Sequence, residues 1–192
     1  MNNNYLSLIQ VCLSPLNHSQ GLLIAGNLRI PCALGQNGTT YDKREGDKKT
    51  PIGTFLIRQG YYRSDRISRP ASGIPFRKLS RTSGWCDDPE HNLYNQFVRC
   101  PFSAGHEEMW REDHIYDVIL DIGYNCNPVI RNRGSAVFLH IARPGYTPTY
   151  GCIAVNRDHI RPLLKMTGPR TRMAIRTNLS NHLAGKKTAH GS

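Results

Sequence analysis

The sequence predicts a mainly β fold with few helices, and three observations carry that expectation. Short runs rich in Val, Ile, Leu, Phe and Tyr recur along the chain, and clusters of Gly, Pro, Asn and Asp separate them. Only one late segment carries both a helical start and a helical stop. The length, 192 residues, is that of one ordinary domain, enough to bury a core without disulfide support. A hydrophobic content of 39% with 17 Gly and 12 Pro fits a turn-rich globular chain and excludes a disordered or fibrous one.

Strands are expected over 5–13, 22–25, 28–33, 54–61, 116–124, 136–141, 152–155 and 173–177. The first rests on Leu6, Leu8 and Leu13 set against Ser7 and Gln10, the period of a half-buried strand. The helix runs from Asn156 as N-cap to Met166, with Gly168 beyond it as a stop. Pro162 inside it removes a backbone donor and predicts a kink or a division. Between the strands lies a polar, aromatic middle containing Trp85, Asp87, Asp88, His91, Tyr94, His106, Glu107 and Trp110. It reads as a long functional loop over a groove, since two Trp residues argue against disorder.

The net charge of +11 favours an anionic partner: nucleic acid, a lipid surface or an acidic wall polymer. Lys and Arg are spread along the chain without an RNP motif, zinc-finger spacing or long basic helix, so no nucleic-acid module is expected. No stretch approaches the ~20 apolar residues of a membrane span. Six cysteines lie far apart with no CxxC pair, which predicts mostly buried free thiols rather than a zinc site. Residues 1–4 carry no basic group, so an export signal is not expected there; the compartment reads as cytoplasmic, or as periplasm or cell wall if such a signal is missing.

The chemistry concentrates around Cys152. It follows Gly151 at the entrance of a strand, and His140 closes the earlier apolar run from Ala136. A thiol attacks as the thiolate, so an imidazole able to accept its proton makes the pair an acyl-transfer candidate. The competing reading is that cysteine is often a small buried hydrophobe. The turn-rich loop between His140 and Cys152 favours catalysis, because loops held by rigid strands are where catalytic groups concentrate.

Several separated motifs then carry a resemblance. The run from Lys43 to Phe55, Gly84-Trp85-Cys86-Asp87-Asp88-Pro89, His106-Glu107 with Trp110, Tyr116-Asp117-Val118, and Phe138-Leu139-His140-Ile141-Ala142-Arg143-Pro144-Gly145-Tyr146 through Gly151-Cys152 resemble the L,D-transpeptidase (YkuD-type) catalytic domain family, in its compact branch with the Gly-Trp-Cys-Asp-Asp-Pro loop. The resemblance covers 5–177 as one catalytic domain, leaving 178–192 as a tail with a frayed Gly185-Lys186-Lys187 stretch. It implies a YkuD-like arrangement of mixed sheets or a β-sandwich, with the one helix near the active site.

For function, the resemblance implies that Cys152 attacks the carbonyl of an L-to-D peptide bond in a peptidoglycan stem, typically between diaminopimelate and D-alanine. His140 is then the base, oriented by a neighbouring backbone carbonyl, and the N–H groups of Gly151 and Cys152 form an oxyanion hole. The thioester passes to an amine, as in a transpeptidase, or to water, as in a carboxypeptidase that trims tetrapeptides to tripeptides. Stem peptides or muropeptides are the expected partners of a monomer, and no metal or organic cofactor is implied. The residues expected to contact the stem are Arg143, Tyr146, Tyr150, Trp85, His106 and Asn125. For Trp85 and Trp110 packing competes with stacking, and for His106 a local hydrogen bond competes with substrate contact. Members of the family often have a histidine before the Gly-Cys pair and Arg or Asn two residues after it, where this chain has Tyr150 and Ala154.

Two readings of other classes stand beside this one. A metal-dependent hydrolase would use Asp87, Asp88, His91, His106 and Glu107, although neither HExxH nor another compact ligand spacing is present. A non-catalytic wall-binding domain would bind the same polymer without turnover.

Overall fold

The computed structural model describes residues 5–177; the calls made above on residues 1–4 and on the 178–192 tail lie outside them. Among the described residues, fifteen strands and one α-helix follow in order: β1 Leu8–Leu13, β2 Gln20–Ala25, β3 Leu28–Ala33, β4 Thr39–Thr40, β5 Thr50–Pro51, β6 Gly53–Leu56, β7 Gln59–Tyr62, β8 Phe76–Lys78, β9 Ser83–Cys86, β10 Phe97–Arg99, β11 His106–Glu108, β12 Val118–Asp121, β13 Phe138–Ile141, β14 Ile153–Val155, α1 Arg157–Lys165 and β15 Arg172–Arg176. A short 3-10 turn at Pro144–Tyr146 separates β13 from β14. The fold is mainly β with curled mixed sheets, as the sequence predicts.

Ten strands form one mixed sheet in the order β6-β15-β1-β2-β3-β14-β13-β12-β7-β8. Its curl follows from the single run expected over 54–61. That run is two strands, because its pairing partner changes between Leu56 and Gln59: β6 pairs with β15, and β7 pairs with β12 near the opposite end of the order. Only Ile57 and Arg58 connect them, and their N–H groups donate to Thr171 O and Asp121 O at 3.0 Å each. Two residues cannot span a flat ten-stranded sheet, so the sheet bends until its ends nearly meet.

Strand alternation divides the interior into two cores. Leu139 and Ile141 of β13, Ile153 and Val155 of β14, and Val118 and Leu120 of β12 point into the larger one. Ile160, Leu163 and Leu164 of α1 seal it. Phe138, Ile119 and Cys152 point the other way, into a smaller cluster with Tyr61, Trp85, Met109 and Tyr116. The central strands are therefore buried on both faces, which is why they read as nearly continuous apolar runs.

The smaller core is roofed by a second sheet in the order β10-β9-β11. The polar middle expected as a non-repeating loop is thus partly strand. Its strands are three or four residues long and interrupted by Gly and Pro, too short for their alternation to show. Trp85 is its pin: the indole Nε1–H donates to Asn95 Oδ1 at 2.9 Å, and the ring meets Phe138 edge-on at 4.9 Å.

The helix begins where expected, with Asn156 Oδ1 accepting from Asp158 N at 2.9 Å. It passes through Pro162 as one continuous element, contrary to the expected kink or division. The carbonyl that loses its donor belongs to Asp158, an exposed residue whose backbone solvent can reach, so the missing bond leaves no buried orphan. A buried carboxylate ties this helix to the sheet. Asp117 accepts from Arg157 at 2.6 Å, Arg66 at 2.9 Å and pairs with His114 at 3.0 Å.

Burial alone would raise the Asp117 pKa, but hydrogen bonds from Arg157, Arg66 and His114 outweigh it and hold the carboxyl below its ordinary 3.8. A depressed folded pKa contributes stability above the unfolded value, and that contribution is lost as pH falls through the folded one. Asp117→Asn is expected to cost about 1–3 kcal/mol in urea unfolding at neutral pH, because Arg66 and the half-exposed Arg157 lose their shared buried acceptor while Arg66 keeps Glu112. That cost should begin to shrink below pH ~4, where the unfolded carboxyl protonates, and vanish as pH falls through the lower folded pKa; a pH-independent cost would contradict this role for the carboxylate.

Candidate active site

β13 and β14 run parallel and adjacent, with His140 opposite Ala154. Residues two apart on a strand share a face, so Cys152 and Ala154 lie on the side to which His140 points. All three line one cavity of about 580 Å³. Cys152 is 9% exposed and His140 6%, so the pair forms a floor rather than a surface patch.

The turn that delivers Cys152 depends on glycine. Gly151 has φ of 134°, a region that side chains disfavour, and an added Cβ would stand 2.9 Å from Lys49 O. Thr149 locks the turn by donating Oγ1 to Cys152 O at 2.7 Å, while the same oxygen accepts from Gly151 N at 3.2 Å. The backbone behind it is buttressed where Gln36 N donates to Thr149 O and Thr149 N to Leu34 O.

His140 Nδ1 lies 2.9 Å from Ile141 O. A carbonyl only accepts, so Nδ1 carries the proton and the Nε2 lone pair is left available. Burial lowers the His140 pKa to about 4, against the raising effect of the Ile141 carbonyl, so the imidazole is neutral at pH 7. Tyr116 packs its ring edge against that imidazole, with centroids 5.2 Å apart. The Cys152 thiol donates to Ala136 O at 3.2 Å and accepts from Phe138 N at 3.4 Å. Burial pushes its pKa up to about 12; the Phe138 N–H lowers it, Glu107 raises it further and Lys43 opposes Glu107. Both side chains, thiol and imidazole, therefore rest uncharged at neutral pH.

The cavity walls are charged. Lys43 is buried, its Nζ 2.6 Å from Asp47 Oδ1 and 2.9 Å from Arg44 O. Glu45 Oε2 accepts from the hydroxyls of Tyr94 and of Ser135, the latter at 2.8 Å. Opposite them Arg111 and Arg143 share Asp113, at 2.9 and 2.7 Å. Tyr150 stands 76% exposed at the rim, with Lys48 Nζ 4.8 Å from its ring centroid.

The sequence candidates separate on this geometry. Cys152, His140, Arg143 and Tyr150 line the cavity. Trp85 does not; it is 5% exposed inside the smaller core. His106 is turned away, with Nδ1 2.9 Å from Ala104 O, because alternation along β11 aims its neighbour Glu107 at the cavity instead. Asn125 staples its own loop: its amide donates to Ile130 O and Gly134 O at 2.9 Å, and its Oδ1 accepts from Ile130 N at 2.8 Å. Tyr146 faces a separate hollow beyond the Pro144–Tyr146 turn. The N–H of Gly151 is engaged by Thr149 and reaches an oxyanion only if that bond opens. Among the described residues no group of three His, Cys, Asp or Glu is arranged to hold a metal ion, so Asp87, Asp88, His91, His106 and Glu107 do not form a ligand set. All six cysteines are free, four of them buried.

Tyr116, Arg111 and Lys43 have no site role in the sequence reading, and Glu107 has one only beside His106. Each lies within a motif quoted above or beside one, and the fold brings all four to the lining of one cavity.

A family model described as the L,D-transpeptidase catalytic domain, YkuD, matches residues 20–175. The chain belongs to this family. No curated protein matches it. The YkuD match runs from β2 to β15 and so contains both cysteine and histidine strands and the sheet that roofs them. YkuD membership identifies an L,D-transpeptidase-type enzyme that acts on peptidoglycan peptides. No helix among the described residues is long and apolar enough to cross a membrane.

The neutral state of the thiol makes a direct prediction. At pH 7 without substrate, Cys152 should react with iodoacetamide on the order of 100-fold more slowly than an unperturbed thiol, because so little of it is thiolate. The half-buried Cys100 and Cys126 should label first in peptide mapping. Rapid labelling of Cys152 at pH 6–7 would show a preformed thiolate and contradict this state.

Proposed function

We propose that the protein is a cysteine-dependent L,D-carboxypeptidase, cutting the bond between the third-position diamino acid and D-alanine of a peptidoglycan tetrapeptide. The observation that carries this reading is that a neutral thiol and a neutral imidazole, with Nε2 unprotonated, line the floor of one cavity. Cys152 passes its proton to His140 Nε2 as sulfur bonds to the carbonyl carbon. Collapse of the tetrahedral adduct breaks the C–N bond, and the departing D-alanine nitrogen takes the proton from His140. Water then gives a proton to the same nitrogen and its oxygen attacks the thioester; the thiol returns and a tripeptide carboxylate leaves.

The Cys152 N–H, joined by Gly151 N–H once Thr149 releases it, would hold the oxyanion; one such donor is worth roughly 3–4 kcal/mol. The S–H now directed at Ala136 O must rotate toward His140 for the first transfer, a change that substrate binding commonly brings about. Arg143 and Tyr150, at the rim, would meet the stem, and Arg143 suits its carboxylates.

Water is favoured as acceptor because Cys152 and His140 line a hollow of about 580 Å³ that is open to solvent, so water reaches a thioester formed there. Transpeptidation to an amine is the second reading, and family membership favours it. A carboxypeptidase fits turnover of muropeptides in the cytoplasm; a cross-linking enzyme would work at the wall.

Incubation with disaccharide tetrapeptide, followed by mass spectrometry, separates the readings. Tripeptide and free D-alanine are the expected products, and Cys152-dependent dimers would establish transpeptidation instead. Cys152→Ala should abolish turnover with the fold retained, and His140→Ala should lower kcat by at least ~10²-fold. Persistent turnover in Cys152→Ala would eliminate both.

A further inference from the structure

Glu107 lines the cavity beside Tyr116, and Arg111 Nη1 lies 3.5 Å from its Oε1. Tyr116 also packs edge-on against His140, so one buried ring stands next to the candidate base and faces the cavity that the carboxylate lines. Arg111 neutralises Glu107 only in part, because it lies closer to Asp113, at 2.9 Å, and Asp113 in turn takes Arg143. Burial raises the Glu107 pKa; Tyr116 and Arg111 lower it, and Asp87 and Asp113 raise it.

A negative charge built beside a nucleophilic thiol opposes the ionisation that catalysis needs. Such a group is useful where the substrate itself brings a cation. A diamino acid at the third position carries a free amine, protonated at neutral pH, and a carboxylate that lines the cavity and is only loosely paired with Arg111 is an acceptor for it.

We propose that Glu107 is the specificity-determining carboxylate of this site, binding a protonated amine of the donor so that Cys152 gives its proton to His140 only when that amine is seated. This rests on the acyl-transfer reading above. The ammonium keeps its protons and cancels the field of Glu107 at the sulfur. The thiol proton then moves to His140 Nε2 as the C–S bond forms. Tyr116 is a positioning residue, acting through Glu107 and His140.

The test measures kcat/KM on a diaminopimelate tetrapeptide and on the same peptide with its side-chain amine acetylated. Wild type should prefer the free amine by roughly 10- to 100-fold, the range of a charge-assisted hydrogen bond. Glu107→Gln should turn over both alike, and Glu107→Asp, which keeps the charge, should regain part of the preference. Without substrate, Glu107→Gln should also label Cys152 with iodoacetamide faster than wild type at the same pH. Equal turnover of the two peptides by wild type, a preference retained in Glu107→Gln, or unchanged labelling would overturn the proposal while leaving acyl transfer intact. Absence of wild-type turnover on either peptide would remove the acyl-transfer reading and this inference with it.

Discussion

The parallel pairing of β13 with β14 is the constraint on which the rest of the molecule depends. It sets His140 against Ala154 and leaves Cys152 one strand period away on the same face. A register slip of one residue would send His140 and Cys152 into the larger core and turn Leu139, Ile141 and Ile153 toward the cavity. That slip is opposed by the deepest burial in the chain, since Leu139, Ile153 and Val155 are wholly inaccessible. The hydrophobic core therefore sets two polar groups on the floor of one cavity.

Parallel neighbours need a crossover, and here it is the short stretch through the Pro144–Tyr146 turn. That stretch brings Arg143 and Tyr150 to the rim and ends in the Gly151 turn, so the connection that the topology requires also forms one wall of the cavity. The opposite wall comes from the small sheet, with Glu107 supplied by β11. Electrostatics then follows from depth. Burial is the largest influence on both Cys152 and His140, and it pushes both toward their neutral forms. An uncharged pair is cheap to keep in an apolar floor, whereas a resting ion pair would carry a desolvation cost.

Much of this was legible in the sequence because it is local. Asn156 as N-cap and the strands expected over 22–25 and 28–33 depend on near neighbours, and the structure reproduces them within a few residues. The first strand is present too, but in the other phase: Ile9 and Val11 are buried, while Leu8 shares a face with Gln10. His140 and Cys152 were legible as a pair because each stands at the end of an apolar run beside turn residues. Other features depend on partners distant in sequence. Nothing local marks Ile57 and Arg58 as the point where one strand becomes two. Trp85 shows a large aromatic near a polar loop, and only its bond to Asn95 reveals a core anchor. The choice between His106 and Glu107 turns on the phase of a three-residue strand, which composition does not encode. Asn125 illustrates the same limit: its side chain is spent on its own loop.

The central claim is that His140 waits as a neutral base with its proton on Nδ1, tied to the Ile141 carbonyl. The most direct test is nitrogen-15 NMR of the histidine side chains, with His140 assigned by the loss of its signals in His140→Gln, followed from pH 5 to 8. The structure predicts that His140 stays neutral throughout, with a protonated Nδ1 and a bare Nε2, since burial takes its pKa to about 4. An imidazolium at pH 7, or a proton on Nε2, would contradict the account.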